Sequence, residues 1–183
     1  MNNPSKTLLF DINFILHKIA IEENQTIGEL GCGNFGYFVF PAAKAVGGRG
    51  RVFAVDIIKN TLEEIKKRAL QENLTQIETI WSNLEVFKGA KIENSSLDRA
   101  LIINVLHQSK KRAEIIREAT RMLKTGGRLL IIEWKSSATP LGPRTEDRVN
   151  KEILKNAAPK LGLIITEEFE PGPYHYGLIF HKS

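Results

Sequence analysis

The sequence predicts an α/β fold built on an open, mainly parallel sheet, for three reasons. Thr26–Gly36, T-I-G-E-L-G-C-G-N-F-G, runs from an apolar strand into glycines at Gly31, Gly33 and Gly36, and then into a helical stretch, Tyr37–Val46. About twenty residues on, R-V-F-A-V-D closes a second strand at Asp56. Near the end of the chain Pro171-Gly172-Pro173 joins two strands too tightly for a parallel crossover, so those two form an antiparallel hairpin.

In chain order, Leu8–Ile21 places Leu8, Ile12, Ile15, Leu16 and Ile19 on one stripe and predicts an amphipathic helix packed on the sheet. A polar turn, Glu22–Gln25, leads into the strand Thr26–Leu30. The helix from Tyr37 contains Pro41, tolerated only near a helix start where its missing N–H breaks no bond. Gly47, Gly48 and Gly50 stop it. Strand Arg51–Asp56 follows, and Asn60 with Glu63 resembles a capping box opening a helix buried along Leu62, Ile65, Ala69 and Leu70.

A third strand lies within Leu74–Trp81, and Leu84–Ser96 reads as irregular. Leu97–Val105 and Arg128–Trp134 are nearly continuous apolar runs, the pattern of strands buried on both faces, and a helix Arg112–Leu123 ending at Gly126-Gly127 joins them. Arg144–Leu161 reads as a helix interrupted near Pro159, followed by the hairpin strands Leu163–Glu170 and Tyr174–His181.

The chain's 183 residues fit a single domain, 1–183, with 1–25 as an N-terminal helical segment packed on the sheet. Apolar residues make up 42% and charged residues 26%, the balance of a globular protein. No apolar run reaches the ~20 residues that span a bilayer, and Met1–Lys6 lacks a signal-peptide pattern, so the expected location is the cytoplasm, with no membrane partner. The lone Cys32 has no disulfide partner, and its neighbourhood supplies no metal ligands; it reads as a small residue within the glycine loop. The net charge of +5 mildly favours acidic partners, RNA included. Yet the basic runs Lys66–Arg68 and Lys110–Arg112 are interleaved with glutamates, and Glu63/Lys67 and Glu64/Arg68 have the spacing of surface pairs on a solvated helix face.

Ligands of such sheets bind at the carboxyl ends of the strands. Those ends carry Glu29–Gly36, Asp56-Ile57, Ser82-Asn83, Asn104–His107 and Glu133–Lys135. They hold neither a metal cluster nor a Ser/His/Asp set, but they do form a cradle for a purine nucleoside. Its parts are an acid before the glycines, an acid for ribose hydroxyls, an apolar neighbour for a base, and the Asn83 amide for a base edge.

The ordered set E-L-G-C-G-N-F-G, V-F-A-V-D-I, I-E-T-I-W-S-N-L-E, S-L-D-R-A-L-I-I-N-V-L-H-Q and L-K-T-G-G-R-L-L-I-I-E-W resembles the class I S-adenosylmethionine-dependent methyltransferases, from about Thr26 to the final hairpin. The branch it looks most like is the small-molecule one of ubiquinone/menaquinone-biosynthesis and arsenite methyltransferases. The resemblance implies a Rossmann-like, doubly wound seven-stranded sheet of order 3-2-1-4-5-7-6 with strand 7 antiparallel.

It also implies S-adenosylmethionine as cofactor and a small-molecule acceptor, with RNA or protein as other acceptors. Gly31 and Gly33 would let the chain pass close to the methionine part, and Glu29 would set the loop and the amino group. Asp56 would hold the ribose, Ile57 would pack on adenine, Asn83 would meet its amine, and Asn104 and Leu106 would face the sulfonium. Cys32, Asn34, Gly36 and Ser82 complete the expected cofactor contacts. Two positions depart from the family: Phe35 extends the usual G-x-G-x-G loop, and Asn83 stands where aspartate is commoner.

A sulfonium methyl needs alignment more than acid–base help, and His107 and His175 are the candidate bases where one is used. Trp134, Tyr174 and Tyr176 are candidates for an acceptor pocket wall. Two other readings remain at this point. One is a nicotinamide-dependent oxidoreductase, which shares the G-x-G-x-x-G fingerprint; the other is a non-catalytic cofactor- or RNA-binding module.

Overall fold

The computed structural model describes residues 10–137 and 141–183. Its centre is a seven-stranded sheet of β1 (Thr26–Leu30), β2 (Arg51–Asp56), β3 (Ile77–Trp81), β4 (Leu97–Ile103), β5 (Leu123–Trp134), β6 (Leu163–Gly172) and β7 (His175–Lys182). The spatial order is β3-β2-β1-β4-β5-β7-β6. Strands β1 to β5 run parallel, and β7 lies antiparallel between β5 and β6, as the resemblance implied.

Side-chain alternation divides the core into two layers. Ile27, Val52, Ala54, Leu101, Leu130 and Ile132 face one layer, where α1 (Ile12–Lys18), α2 (Val39–Val46) and α3 (Lys59–Gln71) pack. Phe53, Val55, Ala100, Ile102, Leu129 and Ile131 face the other, covered by α4 (Arg112–Met122) and α5 (Lys151–Ala157). Burial on both faces accounts for the near-continuous apolar runs in β4 and β5.

Several elements differ in extent from the sequence reading. Helix α1 begins at Ile12 because the Asp11 carboxylate accepts the Phe14 N–H at 3.1 Å, and it ends before Ala20, whose φ of +54° closes the turn. Leu8, placed on the expected stripe, lies outside the described residues. Helix α2 starts at Val39, leaving Tyr37 and Phe38 in the glycine loop. Strand β5 begins at Leu123, five residues before Arg128, pairing with Leu97 across an irregularity that absorbs Gly126-Gly127.

The expected helix Arg144–Leu161 is instead a 3-10 turn (Thr145–Asp147), α5, and a second 3-10 turn (Ala158–Leu161) that carries Pro159. The break falls at Arg148 in extended conformation, and Asn150 then caps α5 by accepting the Glu152 N–H at 2.8 Å. Neither expected surface pair on α3 forms: Arg68 bonds Glu72 at 2.7 Å, and its guanidinium lies over the Phe40 ring at 3.8 Å. No described helix is long and apolar enough to cross a membrane.

Candidate functional site

The carboxyl ends of β1, β2 and β4 meet around the glycine loop. The Gly31 and Cys32 N–H groups both donate to the Val55 carbonyl, at 2.8 and 3.0 Å, which ties the loop down across the end of β2. Gly31 has φ of +86°, and a Cβ there would come within 2.5 Å of Val105, so strain and space both demand glycine. Gly33, at φ of +64°, would place its Cβ in open space. Its N–H donates to one Asp56 oxygen at 3.0 Å, while Ile58 N–H donates to the other at 2.9 Å. Asp56 is thereby fixed at the loop's edge, with lone pairs remaining for a further donor.

Beside it opens a cavity of about 300 Å³, within the size range of small-molecule sites. Seven expected contact residues line it: Gly31, Gly33 and Asn34 from the loop, Asp56 and Ile57 after β2, and Ser82 and Asn83 after β3. Ile57 is 55% exposed beside the Asp56 carboxylate, and its carbonyl is anchored by the Trp81 indole N–H at 2.8 Å. An exposed apolar side chain next to a fixed carboxylate suits a base stacked over a ribose.

The five other expected contacts lie off this lining. Cys32 is buried, and burial, with the Glu29 and Asp56 charges adding, pushes its thiol far above the usual range. Gly36 (φ +53°) packs against Phe40, and its carbonyl accepts the Phe40 N–H, so it belongs to the approach to α2. Leu106 is fully buried in the core. Glu29 and Asn104 lie at the ends of β1 and β4. The inserted Phe35 is 62% exposed and packs against Tyr37.

Some polar side-chain atoms at these strand ends lack partners. Among the described residues, the buried unpartnered ones are Glu29 Oε2, Ser82 Oγ, Asn104 Oδ1 and both ring nitrogens of His175. Each of these four residues was a candidate from sequence, and buried polar atoms are ordinarily satisfied. Burial pushes the Glu29 carboxyl well above the carboxylate range, opposed by the Val39 amide at the start of α2 and reinforced by Asp56. Asn104 adopts φ of +56°, a left-handed conformation that Asn tolerates better than most residues. A ligand bringing an ammonium, hydroxyls and a purine would meet acceptors at Glu29, Asp56 and Asn104, so these residues fit S-adenosylmethionine.

The two histidines converge on the neighbouring strand ends. His107 lies in a 3-10 turn (Leu106–Gln108) after β4, with Nδ1 at 3.1 Å from Glu133 Oε2 on β5. His175 pairs with Trp134 across β5 and β7, its ring centroid 4.1 Å from the indole and 5.0 Å from Phe10. It is fully buried and its pKa is lowered to about 4, first by desolvation and then by His107, Lys135 and Arg148. Tyr176 turns into the core and donates its hydroxyl to the Val149 carbonyl at 2.7 Å.

Sequence reasoning missed Thr61, Glu85, Gln108 and Ser109 on the cavity wall. Thr61 donates to Asn34 Oδ1 at 2.6 Å and Ser109 to Glu85 at 2.7 Å, contacts between segments that no local pattern signals. Glu133 had a visible signal, a lone acid in an apolar strand run, but no indication of its partner. The described residues contain no cluster able to hold a metal ion.

Comparison with known proteins gives a family. The family described as "Methyltransferase domain" matches residues 21–169. The ubiquinone/menaquinone biosynthesis C-methyltransferase of Francisella philomiragia is 27% identical over 174 residues, covering 89% of this chain and 66% of that protein. Its namesake from Rhizobium leguminosarum is 31% identical over 146 residues, covering 78% and 53%. The chain thus spans less than two thirds of these relatives' own lengths. The crystal structure of a SAM-dependent methyltransferase from Aquifex aeolicus superposes with a TM-score of 0.87 at 22% identity, covering 99% of this chain and 94% of that one. That likeness establishes the shared fold.

Proposed function

Because this chain belongs to the methyltransferase domain family, we propose that it transfers a methyl group from S-adenosylmethionine to a small-molecule acceptor by in-line displacement. The observation that carries this reading is the set of unpartnered buried polar atoms on Glu29, Ser82 and Asn104, at the carboxyl ends of β1, β3 and β4, beside a glycine loop bonded to Asp56. When bound, the cofactor supplies a methyl carbon already activated by a positively charged sulfur.

The chain's own residues bind and orient. Glu29 and Asn104 accept hydrogen bonds from the amino-acid end, Asp56 accepts the ribose hydroxyls, and Ile57 and Asn83 hold the base. Gly31 and Gly33 leave room for the ligand's close approach. We further read residues 1–183 as one domain, with its N-terminal helix α1 packed on the sheet, and place it in the cytoplasm, a location that cell fractionation checks. The Francisella and Rhizobium relatives are named for small-molecule biosynthesis, which supports a small acceptor over RNA or protein.

Calorimetric titration with S-adenosylmethionine and S-adenosylhomocysteine tests the reading: both should bind, and no heat from either at millimolar concentration would end it. Asp56→Ala should weaken S-adenosylhomocysteine by about 1.5–3 kcal/mol, the scale of hydrogen bonds to a charged group. Unchanged affinity would remove Asp56 from the ribose.

A further inference from the structure

We propose that His107, oriented by the buried carboxylate of Glu133, is the general base of the transfer, and that the acceptor presents a hydroxyl still carrying its proton when bound. The inference rests on the methyltransferase reading above and adds a catalytic residue and a chemical class of acceptor.

The geometry begins at Glu133, which is fully buried at the end of β5. One of its oxygens accepts the His107 backbone N–H at 3.2 Å; the other faces His107 Nδ1 at 3.1 Å and the Trp134 N–H at 3.4 Å. A carboxylate so placed accepts from Nδ1–H, which fixes the tautomer and leaves the lone pair on Nε2. Among the described residues Nε2 makes no hydrogen bond, and the side chain is 14% exposed. The turn is itself pinned, since Arg112 Nε donates to the Leu106 carbonyl at 3.0 Å and Gln108 Nε2 to the Asn104 carbonyl at 2.7 Å.

The turn that carries this imidazole borders the cavity. Val105, Gln108 and Ser109 line that cavity, while His107, between them in sequence, turns toward β5. Beyond it stand Trp134, His175 and Phe10, whose rings pack on one another. His175 brings two buried nitrogens without partners to this corner, a place for a polar group of the acceptor against an aromatic wall.

The charged groups here are Glu133 from β5, Lys135 and Arg148 from the segment that follows it, and Arg112 from α4; His175 and Tyr176 come from β7. Lys135 is paired with Glu170 at 2.9 Å, and Arg148 is spent on backbone carbonyls. Arg112 is likewise held by the carbonyls of Leu106 and Asp147. His175 is fully buried, and desolvation lowers its pKa to about 4, so the His107 imidazole is left as the group able to take a proton.

The step balances simply. His107 Nε2 takes the proton of the acceptor hydroxyl, and the electron pair of that O–H bond remains on oxygen as its charge develops. An oxygen lone pair forms the new bond to the methyl carbon. The pair of the carbon–sulfur bond stays with sulfur, which loses its positive charge. The imidazolium, held by Glu133, then passes its proton to water.

The test uses the full chain, with His107→Gln, whose amide can still donate to Glu133, and Glu133→Gln. Nitrogen-15 NMR of the histidines should show a protonated Nδ1 and bare Nε2 at His107. Transfer of labelled methyl from S-adenosylmethionine into the small-molecule fraction of a cell extract should fall at least 100-fold in His107→Gln. S-adenosylhomocysteine affinity, by calorimetry, should stay within threefold. The wild-type rate should rise with pH through one ionisation, a limb displaced in Glu133→Gln and absent in His107→Gln.

A protonated Nε2 at His107, or transfer within threefold of wild type in His107→Gln, would overturn the assignment. Wild type that binds S-adenosylhomocysteine yet labels no small molecule would overturn the acceptor class. Failure of wild type to bind S-adenosylhomocysteine would instead remove the methyltransferase reading itself, and the base with it.

Discussion

At the scale of single residues, His175 couples stability to acid. Its ring is fully buried with neither nitrogen bonded, and its pKa is held at about 4. The unfolded chain takes up this proton near pH 6.5, and the folded chain only near pH 4. Between those values the unfolded state binds more protons, so stability is lost as pH falls from about 6.5 toward 4, by about 2–3 kcal/mol in all. Glu29 works in the opposite sense: its raised value means the folded state holds a proton longer, so its contribution to stability falls as pH rises above the ordinary carboxylate range. His175→Phe separates the two, since a benzene ring keeps the stack on Trp134 and forfeits no hydrogen bond. Urea midpoints of this variant should be flatter than wild type between pH 4 and 6.5, and an unchanged slope would show that His175 is already protonated in the fold.

At the scale of elements, the segment after β5 depends on one side chain. Arg148 is 7% exposed and has no carboxylate partner among the described residues. Its guanidinium donates to the carbonyls of Pro143 at 3.1 Å, Lys135 at 3.1 Å, Leu141 at 3.0 Å, and Ser137. Gly142 (φ +94°) meanwhile lies so close to Trp134 that a Cβ would come within 2.5 Å of the indole. Lys135, Ser137, Leu141 and Pro143 are therefore gathered around one arginine, and Gly142 is pressed onto the aromatic wall beside His175. Arg148→Met should take this donor from the Lys135, Ser137 and Pro143 carbonyls and loosen the chain around them, costing about 2–4 kcal/mol. Limited proteolysis should then cut within residues 141–149 before the sheet is touched, and resistance equal to wild type would refute the staple.

No sequence pattern announced this arrangement, because Arg148 bonds carbonyls rather than a periodic set of side chains; the helix expected from Arg144 fails at that point for the same reason. The strands were legible, since β4 and β5 carry apolar runs and β1 and β2 end at punctuating residues. So was the hairpin, from Pro171-Gly172-Pro173. The start of α2 was not, because its first amide is met by Glu29 from β1 rather than by a local cap.

At the scale of the whole molecule, the sheet decides what binding can do to stability. Glu29, Asp56 and Asn104 belong to the ends of different strands, so one ligand touching all three stabilises β1, β2 and β4 together, while the β6–β7 hairpin lies at the far side of β5. These residues were legible from sequence because glycines and acids punctuate strand ends; the walls supplied by Thr61, Glu85 and Ser109 were not, because they arrive from distant segments. Charge offers little competing purpose. Many basic side chains are paired, Arg51 with Glu78, Arg121 with Glu118, and Lys155 with both Glu152 and Glu168. Such interleaving argues against a basic stripe suited to nucleic acid.

S-adenosylhomocysteine at about 100 times its Kd should therefore add about 2.7 kcal/mol to the folded state. For a chain of this length that corresponds to a rise in Tm of about 5–10 °C. Hydrogen exchange should slow at the carboxyl ends of β1, β2 and β4 and change little in β6. Reduced nicotinamide cofactor at the same concentration should leave Tm where it is, because in the proposed binding mode Glu29 and Asn104 accept from an ammonium and N–H donors that the pyrophosphate of a dinucleotide lacks. A Tm rise with the nicotinamide cofactor and none with S-adenosylhomocysteine would exchange the two readings.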